Sequence, residues 1–139
     1  MLKEYKTGQA FMGRLEKDDD LLNSLTEIVK EKDITTGFIK VIGAVQNAKI
    51  GFYNQETYEY QYKNIDREME IVSCIGNISI LDGEPFIHAH ITLADEDGSC
   101  YGGHLAEGTT VFASEFFIQP LQGEKLERKY DEKTQLTLW

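Results

Sequence analysis

Hydrophobic and polar positions alternate along most of the chain with the period of two that is typical of β-strands. This pattern predicts strands over residues 4–14, 34–45, 48–54, 56–63, 68–81, 86–94, 99–103 and 111–118. Turn signals separate several of these strands, among them Asp82-Gly83 and the ADEDG segment at 94–98. We therefore expect most of the chain to form short-looped, antiparallel strands.

One segment has the period of a helix instead. Apolar side chains at 21, 22, 25, 28 and 29 form a single stripe, and three aspartates at 18–20 favour a helix start through capping and the helix dipole. A helix over 18–32 followed by about seven strands predicts an α+β fold whose mostly antiparallel sheet is strongly bent or forms a partial barrel. The length of 139 residues fits one domain covering 1–139.

Charge is distributed unevenly along the chain. All 14 lysines and arginines lie in 1–67 or 125–139, whereas residues 68–124 contain ten of the 24 acidic groups. The remaining 14 acidic groups (24 − 10) balance the basic ones, so the net charge of −10 belongs to the central block. Such a block disfavours contact with the phosphates of nucleic acid and favours a bound cation.

The sequence gives no indication of a membrane segment or of secretion. No stretch approaches the roughly 20 apolar residues of a membrane span, and the first residues, MLKEYKTGQAF, lack the apolar region of a signal peptide. Cys74 lies in an apolar run and is predicted to be a core residue, while Cys100 forms no CxxC motif with it. We therefore expect a reduced, cytoplasmic setting.

The three histidines of the chain lie within one predicted hairpin. His88 and His90 are two residues apart in a strand, so their side chains project from the same face. His104 follows the turn at 94–98 and a short return strand, which can bring it beside the other two, and Gly102-Gly103 permit a close backbone approach. We predict that the three imidazoles bind one divalent transition metal, with zinc favoured. The alternative is that His88 and His90 lie on an exposed strand face and His104 is a lone polar residue.

Three further residues are candidates for catalysis near such a metal. Glu115 and Glu70 interrupt apolar strands, and a carboxylate in that setting needs a partner or a cavity. Either could carry a proton, and Arg14 could orient an anionic substrate. The alternatives are ion pairs or exposure at the surface. Tyr58, Tyr60 and Tyr62 are predicted to share one strand face, which favours an interface or a sheet face over ligand stacking.

Several segments resemble the plants-and-prokaryotes-conserved domain family, in its stand-alone prokaryotic form. They are RLEKDDDLLNSL (14–25), GAVQNAKIGFYN (43–54), the long segment at 70–111 that contains PFIHAH and GGHL, and ERKYDEKTQLTLW (127–139). The resemblance extends over the whole chain. It implies an antiparallel sheet around a helix, a homotrimer, and a metal held by His88, His90 and His104. The fold is also similar to that of acetolactate decarboxylase, a likeness that does not transfer the reaction.

Three functions remain open at this point. The first is a metal-dependent protein that binds or transforms a small molecule. The second is a DNA-associated regulator, because plant members of the family carry DNA-binding AT-hook segments, although this chain has none and would have to gather its basic residues in a trimer (Lys3, Lys6, Lys125, Arg128 and Lys129). The third is a trimeric assembly module with a structural metal, which usually requires a fourth protein ligand.

Overall fold

The computed structural model describes residues 2–139. Within these residues the chain forms one helix and ten strands: β1 (Lys6–Thr7), β2 (Phe11–Leu15), α1 (Leu21–Glu31), β3 (Gly37–Asn54), β4 (Glu59–Ile65), β5 (Met69–Leu81), β6 (Glu84–Ala94), β7 (Cys100–Leu105), β8 (Thr110–Gln122), β9 (Lys129–Asp131) and β10 (Leu136–Leu138).

Helix α1 begins later than the aspartate run suggested. Asp20 is the N-cap, and its carboxylate accepts hydrogen bonds from the backbone N–H of Asn23 at 3.0 Å and of Gly108 at 2.7 Å. Asp18 has a φ of 73°, in the left-handed region, so it lies outside the helix. The predicted stripe forms the buried face, where Leu21, Leu25 and Val29 are fully buried against the sheet.

The sheet is built around β3, a continuous strand of 18 residues. Its first half lies between β5 and β8, and its second half pairs with β4 on one side and with β7 on the other. The sequence predicted two strands here, at 34–45 and 48–54. They are one strand because β-bulges carry the chain through residues 41–47 while the pairing continues.

The fold class is α+β, as predicted, with one strongly bent antiparallel sheet that does not close into a barrel. Strands follow the order β1-β8-β3-β5-β6-β7, with β2 beside β8 and β4 beside β3. The inner face of the sheet packs on α1 and forms the core, in which Cys74 is fully buried as predicted. Both cysteines are free thiols. In the described chain no helix is long and apolar enough to cross a membrane.

The charged tail folds into a small hairpin of β9 and β10 that the sequence pattern did not reveal. Backbone hydrogen bonds attach it to the end of β5, since Ile80 N–H donates to Leu126 O and Arg128 N–H donates to Ile80 O, each at 2.8 Å. The hydroxyl of Tyr53 donates to the carbonyl of Thr134 at 2.7 Å. The tail is therefore fixed against the outer face of the sheet, opposite the face that packs on α1.

The close approach of β7 to β3 depends on glycine. A Cβ atom at Gly103 would lie 2.6 Å from the carbonyl oxygen of Gly51, closer than side-chain atoms approach a backbone oxygen.

We expect Gly103→Ala to push β7 away from β3 and to lower the free energy of unfolding by about 1–3 kcal/mol, as other overpacking substitutions do. Urea denaturation followed by circular dichroism measures this change.

The neighbouring Gly102→Ala is the matched control for this substitution. Its Cβ would lie 3.1 Å from the carbonyl oxygen of Ile91, a contact that a shift of a few tenths of an ångström relieves. Equal losses of stability in the two variants would contradict the importance of the β3–β7 contact.

Candidate metal centre

The hairpin of β6 and β7 brings the three histidines together. His88 and His90 lie on the outer face of β6, because Ile87, Ala89 and Ile91 alternate with them and point into the core. His104 on β7 is directly opposite His90 in the strand register. The predicted juxtaposition is therefore present in the fold.

The three imidazole rings form a compact triangle. Ring centroids are 5.2 Å apart for His88 and His90, 5.0 Å for His88 and His104, and 5.7 Å for His90 and His104. One nitrogen from each ring lies within 4.8 Å of the others. Zinc-bound imidazole nitrogens in a tetrahedral site are roughly 3.4 Å apart, so movements of about an ångström would complete such a site.

An unpaired polar atom supports this fit. Nδ1 of His104 is buried and has no hydrogen-bond partner in residues 2–139. A buried polar nitrogen without a partner is costly, and a metal ion is one group that would satisfy it. No fourth His, Cys, Asp or Glu of the described chain joins the group. The donor set thus consists of three imidazoles, which suits a transition metal with an open coordination position.

The site also favours the neutral imidazoles that metal binding requires. Burial, together with the charges of His104, Arg128 and His90, lowers the pKa of His88 to about 4. Burial is also the main cause that lowers the pKa of His104, with contributions from His90 and Arg128. Both rings are therefore free bases at neutral pH.

Two tyrosines of β4 form one wall of the site. The ring of Tyr60 lies 5.1 Å from that of His104, and Tyr62 stacks on Tyr60 at 5.9 Å. Gly51 on β3 leaves room for these rings, since a Cβ there would lie 3.1–3.4 Å from Tyr62, Tyr60 and His104. Tyr58 does not share their face as predicted, because it lies in the turn before β4 with a φ of 57°.

The opposite wall contains Arg128, which the sequence analysis named only as part of a possible basic surface. Its Nη2 donates to Oδ1 of Asn77 at 3.0 Å, and Asn77 is directly opposite His88 in the β5–β6 register. Its guanidinium also lies over the ring of Phe86, two residues before His88, at 5.1 Å. Nothing in the charged tail distinguished Arg128 from its neighbours, and only the docking of the hairpin reveals its position.

The predicted catalytic residues Glu115 and Arg14 lie elsewhere on the sheet. They are opposite each other on β8 and β2, and both are exposed. Strands β3 and β5 separate β8 from β6, and with strands about 4.8 Å apart this places Glu115 roughly 15 Å from His90. Among residues 2–139 Glu115 has no ion-pair partner within 4 Å, while Arg14 pairs with Glu16 at 3.5 Å. One chain does not bring either residue to the histidines.

Glu70 is also exposed and separate from the histidines. It is opposite Ala94, four residues beyond His90 on β6, which corresponds to roughly 13 Å along the strand. It lines a groove of about 650 Å³ on the outer face together with Lys17, Glu68 and Phe112. Of the alternatives left open for the two carboxylates, one chain shows exposure, because they point outward while the apolar residues next to them point inward.

Comparison with known proteins defines the class to which this fold and site belong. A metal-containing protein from Archaeoglobus fulgidus is 43% identical, with a TM-score of 0.96 over 100% of this chain and 98% of that one. A plant- and prokaryote-conserved protein from Pyrococcus horikoshii is 40% identical, with a TM-score of 0.94 over 100% of this chain and 96% of that one. A candidate DNA-binding protein from Bacteroides thetaiotaomicron is 28% identical, with a TM-score of 0.87 over 96% and 95%.

The family pattern of the Plants and Prokaryotes Conserved domain matches residues 2–122, and the chain belongs to that family. Acetolactate decarboxylase from Bacillus subtilis shares the fold at 10% identity, with a TM-score of 0.57 over 89% of this chain and 56% of that one. Two bifunctional GlmU proteins from Synechococcus are 26% identical over 102 residues, and the match spans only 15% of their length.

The lowered pKa of His88 predicts how the stability of the metal-free protein depends on pH. In the unfolded chain His88 takes up a proton below about pH 6.5, whereas in the folded chain it stays neutral until about pH 4. Its contribution is therefore fully present above pH 6.5 and is lost as the pH falls toward 4. We expect the thermal midpoint of the chelator-treated protein to fall between about pH 7 and pH 5.

The variant His88→Gln isolates this contribution, because glutamine does not titrate. Its thermal midpoint should fall less than that of the wild type over the same pH interval. An identical pH dependence in the two proteins would show that His88 is not the responsible group.

Proposed function

We propose that this protein binds a divalent transition metal, with zinc favoured, through His88, His90 and His104, and uses the open coordination position to bind a small molecule. The observation that carries the proposal is the convergence of three imidazoles, with no fourth protein ligand in residues 2–139. The relative from Archaeoglobus fulgidus, which is described as metal-containing, supports it.

The chain's own residues prepare the site in three ways. The register of β6 and β7 sets His90 opposite His104, with their rings nearly perpendicular at 5.7 Å, and burial keeps His88 and His104 unprotonated. Tyr60 lies against one side of the cluster, 5.1 Å from the ring of His104, and Tyr62 stacks on Tyr60. A metal bound here would supply Lewis acidity toward an oxygen of a ligand or of water.

The first prediction of this proposal concerns metal content. Protein purified without a polyhistidine tag and reconstituted with zinc should contain about one ion per chain by elemental analysis. Loss of one of three ligands should weaken binding severely, so His88→Ala should retain little zinc after dialysis and should lose the rise in thermal midpoint that zinc causes.

Asp97→Asn is the matched control, because Asp97 is a potential ligand in the turn that joins β6 to β7 but does not belong to the cluster. It should bind zinc as the wild type does. Equal zinc contents in the wild type and His88→Ala would contradict the site.

We also propose that the protein is a homotrimer, as the family resemblance implies. The outer face of the sheet carries apolar side chains that one chain leaves uncovered, since Ile42, Val72 and Phe112 are each more than half exposed. Exposed apolar surface of this kind is typical of interfaces.

Glu115, Arg14 and Glu70 lie on the same face. Their roles as proton carriers and substrate anchor stay predictions that require a neighbouring subunit to bring them to the histidines.

The trimer makes a direct prediction about mass. Analytical ultracentrifugation should give three times the 15.9 kDa of one chain. Burying a charge in an apolar contact is costly, so Ile42→Glu should shift the protein toward monomers. Leu2→Glu is the control, because Leu2 is 95% exposed and precedes the sheet. A monomeric wild type, or an Ile42→Glu variant of unchanged mass, would contradict the proposed interface.

The alternative of DNA binding has one observation in its favour, the relative from Bacteroides thetaiotaomicron that is described as a candidate DNA-binding protein. The charge distribution supports it poorly. Of the five basic residues that a trimer would have to gather, Lys3 pairs with Glu124 at 2.7 Å and Arg128 is half-buried against the sheet. We therefore favour the small-molecule function. The third alternative, a structural metal, would need a fourth ligand from a neighbouring subunit.

A further inference from the structure

Arg128 is fixed beside the histidines without a compensating carboxylate. Its side chain is half-buried, and among residues 2–139 it takes part in none of the ion pairs. Its three hydrogen bonds go to neutral acceptors: Nε to Oγ of Ser79 at 2.7 Å, Nη2 to Oδ1 of Asn77 at 3.0 Å, and Nη1 to the carbonyl of Thr137 at 2.9 Å. Burying a positive charge costs free energy, and neutral hydrogen-bond partners offset only part of that cost, so an anion beside Arg128 would be favourable.

The arginine is also rigidly positioned. Its backbone N–H donates to Ile80, and its guanidinium lies over Phe86. Ser79, Asn77 and Phe86 are paired neighbours on β5 and β6, and they continue the outer-face row that contains His88. Because Asn77 is directly opposite His88 and Phe86 is two residues before it on the same face, the guanidinium lies beside His88.

Two donors of the guanidinium remain available. Each terminal nitrogen carries two N–H groups and uses one in the hydrogen bonds described above, which leaves one on each without a partner in residues 2–139. Paired N–H groups on a planar guanidinium match the two oxygens of a carboxylate or of a phosphate group. The positive charge of a metal at the histidines would add to that of Arg128, which favours an anion among ligands that contact both.

We infer that Arg128 is the anchor for an anionic ligand at this site, a small molecule whose carboxylate or phosphate oxygens accept both free N–H groups while another oxygen faces the histidine cluster. This inference rests on the proposed metal-binding function and names its ligand class. It assigns a binding role to a residue of the C-terminal hairpin, beyond the residues 2–122 that the family pattern matches.

The test uses the full chain loaded with cobalt(II), whose visible spectrum reports ligands that enter the metal's coordination. Acetate and inorganic phosphate are the two probes, and they distinguish a carboxylate site from a phosphate site. We expect at least one of them to change the spectrum of the wild type with saturation. Arg128→Gln should weaken that binding about tenfold or more, the loss typical of a hydrogen bond to a charged group. Arg67→Gln removes the same charge from the pair with Asp95 and should change affinity less than about twofold.

Cobalt content and thermal midpoint are measured on every variant, which separates an anchor from a residue that only holds the tail. Failure of the wild type to take up cobalt would overturn the metal proposal and this inference together. Normal cobalt uptake with wild-type anion affinity in Arg128→Gln, or an equal loss in Arg67→Gln, would overturn this inference alone.

If Arg128→Gln does not fold, Arg128→Lys replaces it, because lysine keeps the charge but cannot present two parallel N–H groups. Weaker anion binding in this variant, with full cobalt content, would support the anchor. Unchanged binding would overturn it.

Discussion

The antiparallel pairing of β6 with β7 is the interaction on which the candidate site depends. It sets His104 opposite His90, and the period of two along β6 adds His88 on the same face. The pairing is held from the other side by β3, which approaches β7 closely because Gly103 has no side chain to meet the carbonyl oxygen of Gly51. Hydrogen bonds between backbones, rather than any contact between the imidazoles, therefore bring the three histidines together.

Local patterns in the sequence were sufficient to predict these histidines and insufficient for their surroundings. Alternation and a turn signal define a hairpin, and a hairpin fixes which residues are opposite each other. The place of Glu115 and Glu70 depends instead on which face of a bent sheet is covered by α1, a property of the whole fold. The bulges that carry β3 through residues 41–47 and the left-handed backbone at Tyr58 likewise follow from tertiary context. The position of Arg128 was the hardest to predict. The charged tail has no periodic pattern of apolar residues, so nothing in the sequence shows where the tail packs on the sheet.

The acidic residues that are clustered in the sequence are not clustered around the histidines in the fold. Residues 68–124 form an acidic block along the chain, yet their carboxylates do not surround the histidines. Glu84 pairs with Lys30, Asp95 pairs with Arg67, and Glu70 and Glu115 lie on the outer face away from the cluster. The acidic block is thus dispersed over the surface, and the affinity for a cation proposed here comes from imidazole nitrogens.

This arrangement has a chemical consequence for the ligand. Carboxylates beside a metal would neutralise it and repel an anion, whereas three neutral imidazoles leave the full charge of the ion in place. Arg128 then adds a second positive charge in a partly dry environment, where electrostatic interactions are stronger than in water. Two neighbouring positive charges in such an environment repel each other, and a negative group beside both lowers that cost. Tyr60 supplies no charge, because burial raises its pKa and keeps its hydroxyl protonated. The anion inferred above would supply a balancing negative charge at the point where a bound metal could act on that anion.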